Sequence, residues 1–294
     1  MRRTVVLDAP SNLGLRPPAE GAVPGCYKLA GALRDQRLLA RIDAIDAGVV
    51  TPPRYSIAGW KPGDGVFHGA ALAGYTRRLA DRIGKHVEAG EFAVVLGGDC
   101  SIQLGAVLAL RRLGRYGVAY LDGHSDYRHV GNASHVGASA GEGTALITGL
   151  GQPDITDLDG LAPYVRRSDL AVLGVRDDDE AVDEVRETGI DIRTVEDLRS
   201  TGPAAAARQA RARLEQLDGY WVHLDADILD PIVMPAVDSP DPGGIGHEEL
   251  VALLRVLTGS PRCVGIDVAI FDPDLDADGS LAAAFTDTLV AGLR

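Results

Sequence analysis

Short β-branched runs alternate with longer Ala/Leu/Arg-rich stretches along the whole chain, and this rhythm limits the fold more than any other feature. Brief apolar runs read as strands, while apolar residues recurring every three to four positions read as helices laid against them. The candidate strands are Thr4 to Leu7, Ala44 to Val50, Phe92 to Leu96, Gly117 to Leu121, Leu170 to Val175, Ile190 to Thr194, Tyr220 to Leu224 and Cys263 to Val268. Helices are expected over Cys26 to Leu39, Gly69 to Val87, Ile102 to Leu113, Glu180 to Glu187, Pro203 to Leu217, His247 to Leu257 and Ser280 to Leu293. Runs such as Ala93-Val94-Val95-Leu96 are apolar throughout, the pattern of parallel strands buried on both faces. The succession predicts an α/β protein built on a doubly wound parallel sheet of about eight strands. No Pro- or Gly-rich linker divides it, so residues 1–294 are expected to form one domain.

Composition narrows the class of partner. Twenty-nine Lys and Arg against 42 Asp and Glu leave a net charge of −13, with no basic cluster. That balance argues against nucleic acid or an anionic membrane surface, both of which require clustered positive charge. An apolar fraction of 46% argues against disorder, and no apolar run approaches the roughly 18 residues of a membrane span. Three cysteines, Cys26, Cys100 and Cys263, are too few for a disulfide framework and read as free thiols in a reducing compartment. Only Thr4 to Leu7 follow the basic Met1-Arg2-Arg3 as an apolar run, so no secretory segment is expected and the location is expected to be cytoplasmic.

Two long segments lack periodicity, Ala9 to Gly25 and Tyr127 to Glu142, and both directly follow a strand. In open α/β sheets ligands collect beyond the carboxyl ends of strands, so these loops mark where a site should form. Three strands also end in polar, mostly acidic bursts: Gly97-Gly98-Asp99-Cys100-Ser101, Asp122-Gly123-His124-Ser125-Asp126, and Asp225-Ala226-Asp227-Ile228-Leu229-Asp230-Pro231. Residues two apart in extended chain project to the same side, so Asp122, His124 and Asp126 can converge, as can Asp225 and Asp227. One such motif is ordinarily a helix cap or turn. Several together would crowd four mutually repelling carboxylates around a histidine, which divalent cations bridged by carboxylate oxygens would resolve.

These motifs, with Pro242-Gly243-Gly244 after them, resemble in order and spacing those of the ureohydrolase superfamily, which contains arginases, agmatinases, formimidoylglutamases and related amidinohydrolases. The resemblance implies a three-layer α/β/α fold, a small-molecule substrate, a homo-oligomer (trimer or hexamer) and a binuclear manganese centre whose hydroxide attacks a guanidinium or amidine carbon. By that resemblance, Asp122 and Asp225 bridge the two metals, Cys100 and Asp126 complete one site, and His124 and Asp227 complete the other. Asp126 also takes the proton of the attacking group and passes it to the leaving amine. Asp99 and Asp230 fix their loops, and Asp179 matches a position that in arginases contacts the substrate's α-amino group.

The chain departs from the family pattern at several places. Cys100 stands where the family has a histidine ligand, as in a minority branch resembling hydrolases of N-hydroxyarginine, which also reads Asp-Gly-His as Asp122-Gly123-His124 does. A thiolate favours Zn(II) or Fe(II) over Mn(II); alternatively Cys100 packs as a small hydrophobe and leaves one site weak. Ala140 stands where arginases have a proton-shuttling histidine, with His129 and His135 nearby. Ile270 replaces a guanidinium-pairing glutamate, with Asp272 two residues on, and Arg128 replaces a small amide that holds the substrate carboxylate. A guanidinium left unpaired in a buried site is costly, so the expected substrate is not plain arginine. The run Asp274-Leu275-Asp276-Ala277-Asp278-Gly279 begins like a calcium loop but has Phe285 in place of the closing glutamate. The first expectation is therefore a metal-dependent hydrolase of linear C–N bonds in an amidine or guanidine. The alternatives are a non-catalytic relative with a binding or assembly role, and a thiol hydrolase using Cys100 with His124 as base.

Overall fold

The computed structural model describes residues 2–293, and all eight expected strands form in it. They are β1 (Thr4–Asp8), β2 (Ala44–Val49), β3 (Phe92–Leu96), β4 (Tyr116–Leu121), β5 (Leu170–Val175), β6 (Asp191–Thr194), β7 (Gly219–Asp225) and β8 (Cys263–Ala269). Every pairing is parallel, in the spatial order β2-β1-β3-β8-β7-β4-β5-β6. Side chains alternate between two cores. Val94, Leu96, Leu121, Val222, Leu224 and Ile266 face helices Leu29–Asp35, Pro203–Leu214, His247–Thr258 and Ser280–Gly292. Val5, Leu7, Ala93, Val95, Val118 and Val172 face helices Gly69–Glu88 and Gln103–Leu113. Since each face must be covered, both sets of alternating positions are apolar, and this produces the unbroken runs seen in the sequence. No helix among the described residues is long and apolar enough to cross a membrane.

Helical boundaries differ from expectation in one informative place. The stretch expected as one helix over Cys26 to Leu39 is a short 3-10 turn (Gly25–Lys28), the helix Leu29–Asp35 and a further turn, Leu38–Arg41. Arg37 lies in the left-handed region at φ 61°, which breaks the helical path between the last two. Both segments expected as loops lack strands and long helices, and residues 50–68 form a third long loop, joined to the second where Phe67 N–H donates to Gly137 O at 2.7 Å.

Sheet order decides where chemistry can occur. The chain lays down one half of the sheet, leaves β3, begins the other half at β4, and later fills the gap with β7 and β8. The carboxyl ends of β3, β8, β7 and β4 are consequently neighbours at the point where the winding reverses, the usual ligand position in such sheets. All three acidic bursts lie there. The turn after β3 requires glycine for close backbone approach: a Cβ on Gly98 would sit 1.6 Å from Ser11 O, while Gly98 O accepts from Ile270 N–H at 2.7 Å. Gly98→Ala is expected to destabilise the protein by about 1–3 kcal/mol or more in urea unfolding, as backbone must move to admit the methyl. Gly31→Ala, on an open helix surface with nothing within 4 Å of the added atom, should instead stabilise by about 0.5–1 kcal/mol.

Candidate metal centre

Each acidic burst is locked by its own backbone before it meets the others. Asp99 Oδ1 accepts from Ser101 N–H at 2.8 Å, closing the turn that carries Cys100 inward. Asp122 Oδ1 accepts from His124 N–H at 2.6 Å, and Asp225 Oδ1 from Asp227 N–H at 2.7 Å, so each first carboxylate caps the bend following its strand. The two bends are then joined: Asp227 Oδ1 accepts from Gly123 N–H at 3.0 Å, and Asp227 Oδ2 meets His124 Nδ1 at 2.9 Å. Cys100 Sγ donates to Asp225 Oδ2 at 2.7 Å. Cys100, Asp122, Asp225 and Asp227 are all buried.

Two sets of ligand atoms result, each lying within 4.8 Å of one another: Cys100, Asp122, His223 and Asp225, and Asp122, His124 and Asp227. Asp122 belongs to both. Burial, and then the neighbouring acids, push Asp122 and Asp225 far above the ordinary carboxylate range. Burial opposes protonation of His124, but its hydrogen bonds and charge contacts with Asp227 and Asp241 raise it to about 11. Burial and Asp225 likewise push the Cys100 thiol well above its usual value, so without a cation beside it this is a poor nucleophile. Asp122 Oδ2 and His223 Nε2 are buried with no hydrogen-bond partner among the described residues. Orphaned acceptors in a crowd of acids fit divalent metal, which would satisfy the lone pairs and relieve the repulsion together.

The other residues singled out in the sequence line or flank a cavity of about 990 Å³ over this centre. Asp126 lines it in the left-handed region at φ 48°, with Oδ2 accepting from the Tyr120 hydroxyl at 2.7 Å; its carboxylate is in neither close ligand set. Asp179 also lines it while its oxygens accept from Ser125 N–H and Ala181 N–H, both at 2.9 Å. Exposed Arg128, buried Ala140 and buried Ile270 contribute to the wall. Asp272 also lines the cavity, with Oδ2 accepting from Gly25 N–H at 3.0 Å and Oδ1 from Asp274 N–H at 2.9 Å. His129 pairs with Glu184 at 3.0 Å and His135 meets Ser134 at 3.1 Å; neither lines the cavity. Asp230 accepts from Ile232, Gly243 and Gly244 N–H and so ties the β7 loop to the Pro-Gly-Gly turn. In the calcium-like run, Asp274 pairs with Lys28, while Asp276 and Asp278 accept from amides at the start of the last helix.

Two important side chains escape the sequence reading. His223 lies two residues before Asp225 on the same strand, a spacing that could have placed both on one face. Arg176, 3% exposed, donates to the carbonyls of Asp227, Ile228, Leu229 and Asp241, clamping the loop after β7.

The sequence model of the arginase family matches residues 23–292. The chain belongs to the arginase family. Arginase from Bacillus caldovelox is 30% identical over 216 residues, 72% of each chain. Its crystal structure superposes on this protein with a TM-score of 0.89 at 24% identity, covering 100% of this chain and 98% of that one. The formimidoylglutamase of Bacillus subtilis superposes with a TM-score of 0.75 at 17% identity, covering 100% of this chain and 86% of its own. Enzymes of different names thus share the frame. The protein is an arginase-family hydrolase with a candidate metal site, from a family acting on amidino C–N bonds.

Metal-free and metal-loaded protein should respond oppositely to one substitution. Asp225→Asn is expected to raise the Tm of chelator-stripped protein, because a carboxyl that must either be protonated or be buried with its charge is replaced by a neutral amide. It should also abolish the Tm increase on adding divalent ions, an increase worth about 4 kcal/mol at a thousandfold excess over Kd. Differential scanning calorimetry with and without metal checks both signs.

Proposed function

We propose that this protein is a metal-dependent hydrolase of a linear C–N bond in a small guanidine, amidine or formimino compound other than plain arginine, acting as a single ureohydrolase-like domain. The observation that carries the reading is the sharing of Asp122 between two ligand sets supplied by three of the four central strands, β3, β4 and β7, which suits a pair of divalent ions. Residues Cys100, Asp122, His124, Asp225 and Asp227 would hold them, with Asp126 beside them on the cavity wall. When bound, such ions activate water and stabilise developing negative charge.

The chain's own groups supply the rest. Tyr120 fixes Oδ2 of Asp126, and Gln103 Nε2 in turn donates to the Tyr120 hydroxyl at 2.9 Å, so Asp126 is held by a short polar chain. In this reading Asp126 takes the proton of the attacking group and returns it to the departing nitrogen. Asp179 and Arg128, on the cavity wall, bind the amino and carboxylate ends of the substrate. The apolar surfaces of Ala140 and Ile270 favour a substrate whose reacting group is modified or less cationic than a guanidinium. The family resemblance supports Mn(II) and a trimer or hexamer; the thiol of Cys100 supports Zn(II) or Fe(II). Three buried free cysteines support a cytoplasmic setting.

Purified protein is expected to carry two metal ions per chain and to release urea or ammonia from at least one member of a panel of guanidino, N-hydroxyguanidino and formimino compounds. Asp126→Asn should lower kcat by about 10²–10⁴-fold with metal content retained. Absence of tightly bound metal in every preparation would overturn the proposal, and activity that survives Asp225→Ala but not Cys100→Ala would favour a thiol mechanism. Ile270→Glu, which restores a carboxylate for a guanidinium, should shift turnover toward arginine relative to the wild type.

A further inference from the structure

Position 100 carries a thiol where the family resemblance calls for an imidazole, and a second imidazole has been brought to the same place from a different strand. His223 projects from the middle of β7, fully buried, with one ring nitrogen in the set formed with Cys100 Sγ, Asp122 and Asp225. Its surroundings leave the ring one orientation. Tyr120 of β4 is its register partner on one side, with ring centroids 4.3 Å apart; Asp267 of β8 is its partner on the other. Asp267 Oδ2 lies 2.5 Å from His223 Nδ1, and Oδ1 accepts from Trp221 Nε1 at 2.5 Å, so the buried carboxylate is itself held on both oxygens. A carboxylate on Nδ1 keeps the proton there and leaves the lone pair on Nε2. Nε2 has no partner among the described residues although its side chain is wholly buried, an omission that ordinarily costs about 1–3 kcal/mol.

We propose that His223 is a metal ligand, and that Cys100, Asp122, His223 and Asp225 form a thiolate–imidazole–carboxylate site with Asp267 as the positioning residue behind the histidine. This rests on the metal-centre reading above and goes beyond it by naming a donor and a metal preference. One sulfur, one nitrogen and two carboxylates suit a borderline ion such as Zn(II), Fe(II) or Co(II), whereas the second set, Asp122, His124 and Asp227, offers only nitrogen and oxygen. The centre is therefore chemically asymmetric: one position is thiophilic and the other accepts harder ions.

X-ray absorption on wild-type protein loaded with two zinc ions requires no variant. The expected spectrum contains a sulfur neighbour at about 2.3 Å and, on average, one imidazole per zinc at about 2.0–2.1 Å, against one imidazole for every two zincs if His124 alone ligates. Titration with Co(II), followed by its thiolate charge-transfer band, isolates the cysteine-containing position. Cys100→Ser should abolish the band. His223→Gln should weaken binding at that position more than tenfold, and Asp267→Asn by about 10–100-fold with a shifted ligand-field spectrum. His124→Gln should leave the band's affinity within a few-fold of wild type. If His223→Gln folds and binds Co(II) with unchanged affinity and spectrum, or if wild-type zinc shows the lower imidazole count, the inference fails although the metal centre stands. If wild-type protein binds no divalent ion at all, the metal-centre reading fails with it.

Discussion

Carboxylates buried side by side at the ends of neighbouring parallel strands are the constraint around which the candidate site is built. Asp122 and Asp225 emerge from β4 and β7, which are paired residue for residue up to Leu121 and Leu224, so their side chains are delivered to one spot by the sheet itself. Burial in an apolar setting and mutual repulsion both disfavour ionisation there. No rearrangement of side chains alone can separate them while the sheet remains intact. The relief comes from protonation or from a cation, and His124 supplies only part of the latter, because its two nitrogens are already directed at Asp227 and Asp241.

Holding such a centre together requires rigid backbone around it, and the structure supplies this with polar side chains turned onto main-chain groups. Arg176 is a buried cation used mainly on carbonyls: it gathers the β7 loop and Asp241 while lending Asp227 a favourable charge. Asp230 performs the opposite task on amides of the same region. Asp179 ties the loop after β4 to the one after β5 through Ser125. Charge-assisted bonds of this kind are stronger than neutral ones, and they fix loop positions without adding apolar bulk near the cavity.

The six inner strands were legible because burial on both faces leaves a nearly continuous apolar signature, whereas the edge strands β2 and β6 are partly exposed and show only short β-branched runs; the three acidic bursts were legible because strand ends are where such residues are otherwise unexpected. Spatial order was not legible: adjacency of β3, β8, β7 and β4 follows from long-range pairing, which no local pattern encodes. The helix Val195–Thr201 escaped because it is short, although its capping box, Thr194 with Asp197, is present in the sequence. His223 escaped for a different reason. Within Tyr220 to Leu224 it reads as one more core position, and its significance depends on Asp267, a partner 44 residues away. Arg176 similarly reads as an ordinary charged residue after a strand until its carbonyl partners are seen.

Ile270 shows how the cavity wall and the sheet constrain one another. It is a β-branched residue in the left-handed region, at φ 74°, a conformation such side chains avoid. Its amide is bound to Gly98 O, and Gly98 is itself pressed against Ser11, so the backbone at 270 is set by packing between β8 and the turn after β3 rather than by its own preference. Strain of this kind persists where surrounding structure over-determines it, typically beside a binding site. The side chain that lines the cavity can therefore change while the backbone path stays the same. A carboxylate at that position would present charge to the cavity, and isoleucine presents hydrocarbon. The frame thus separates two tasks: the strand ends bring the candidate metal ligands together, and wall residues such as Ile270 and Ala140 set the polarity of the cavity beside them.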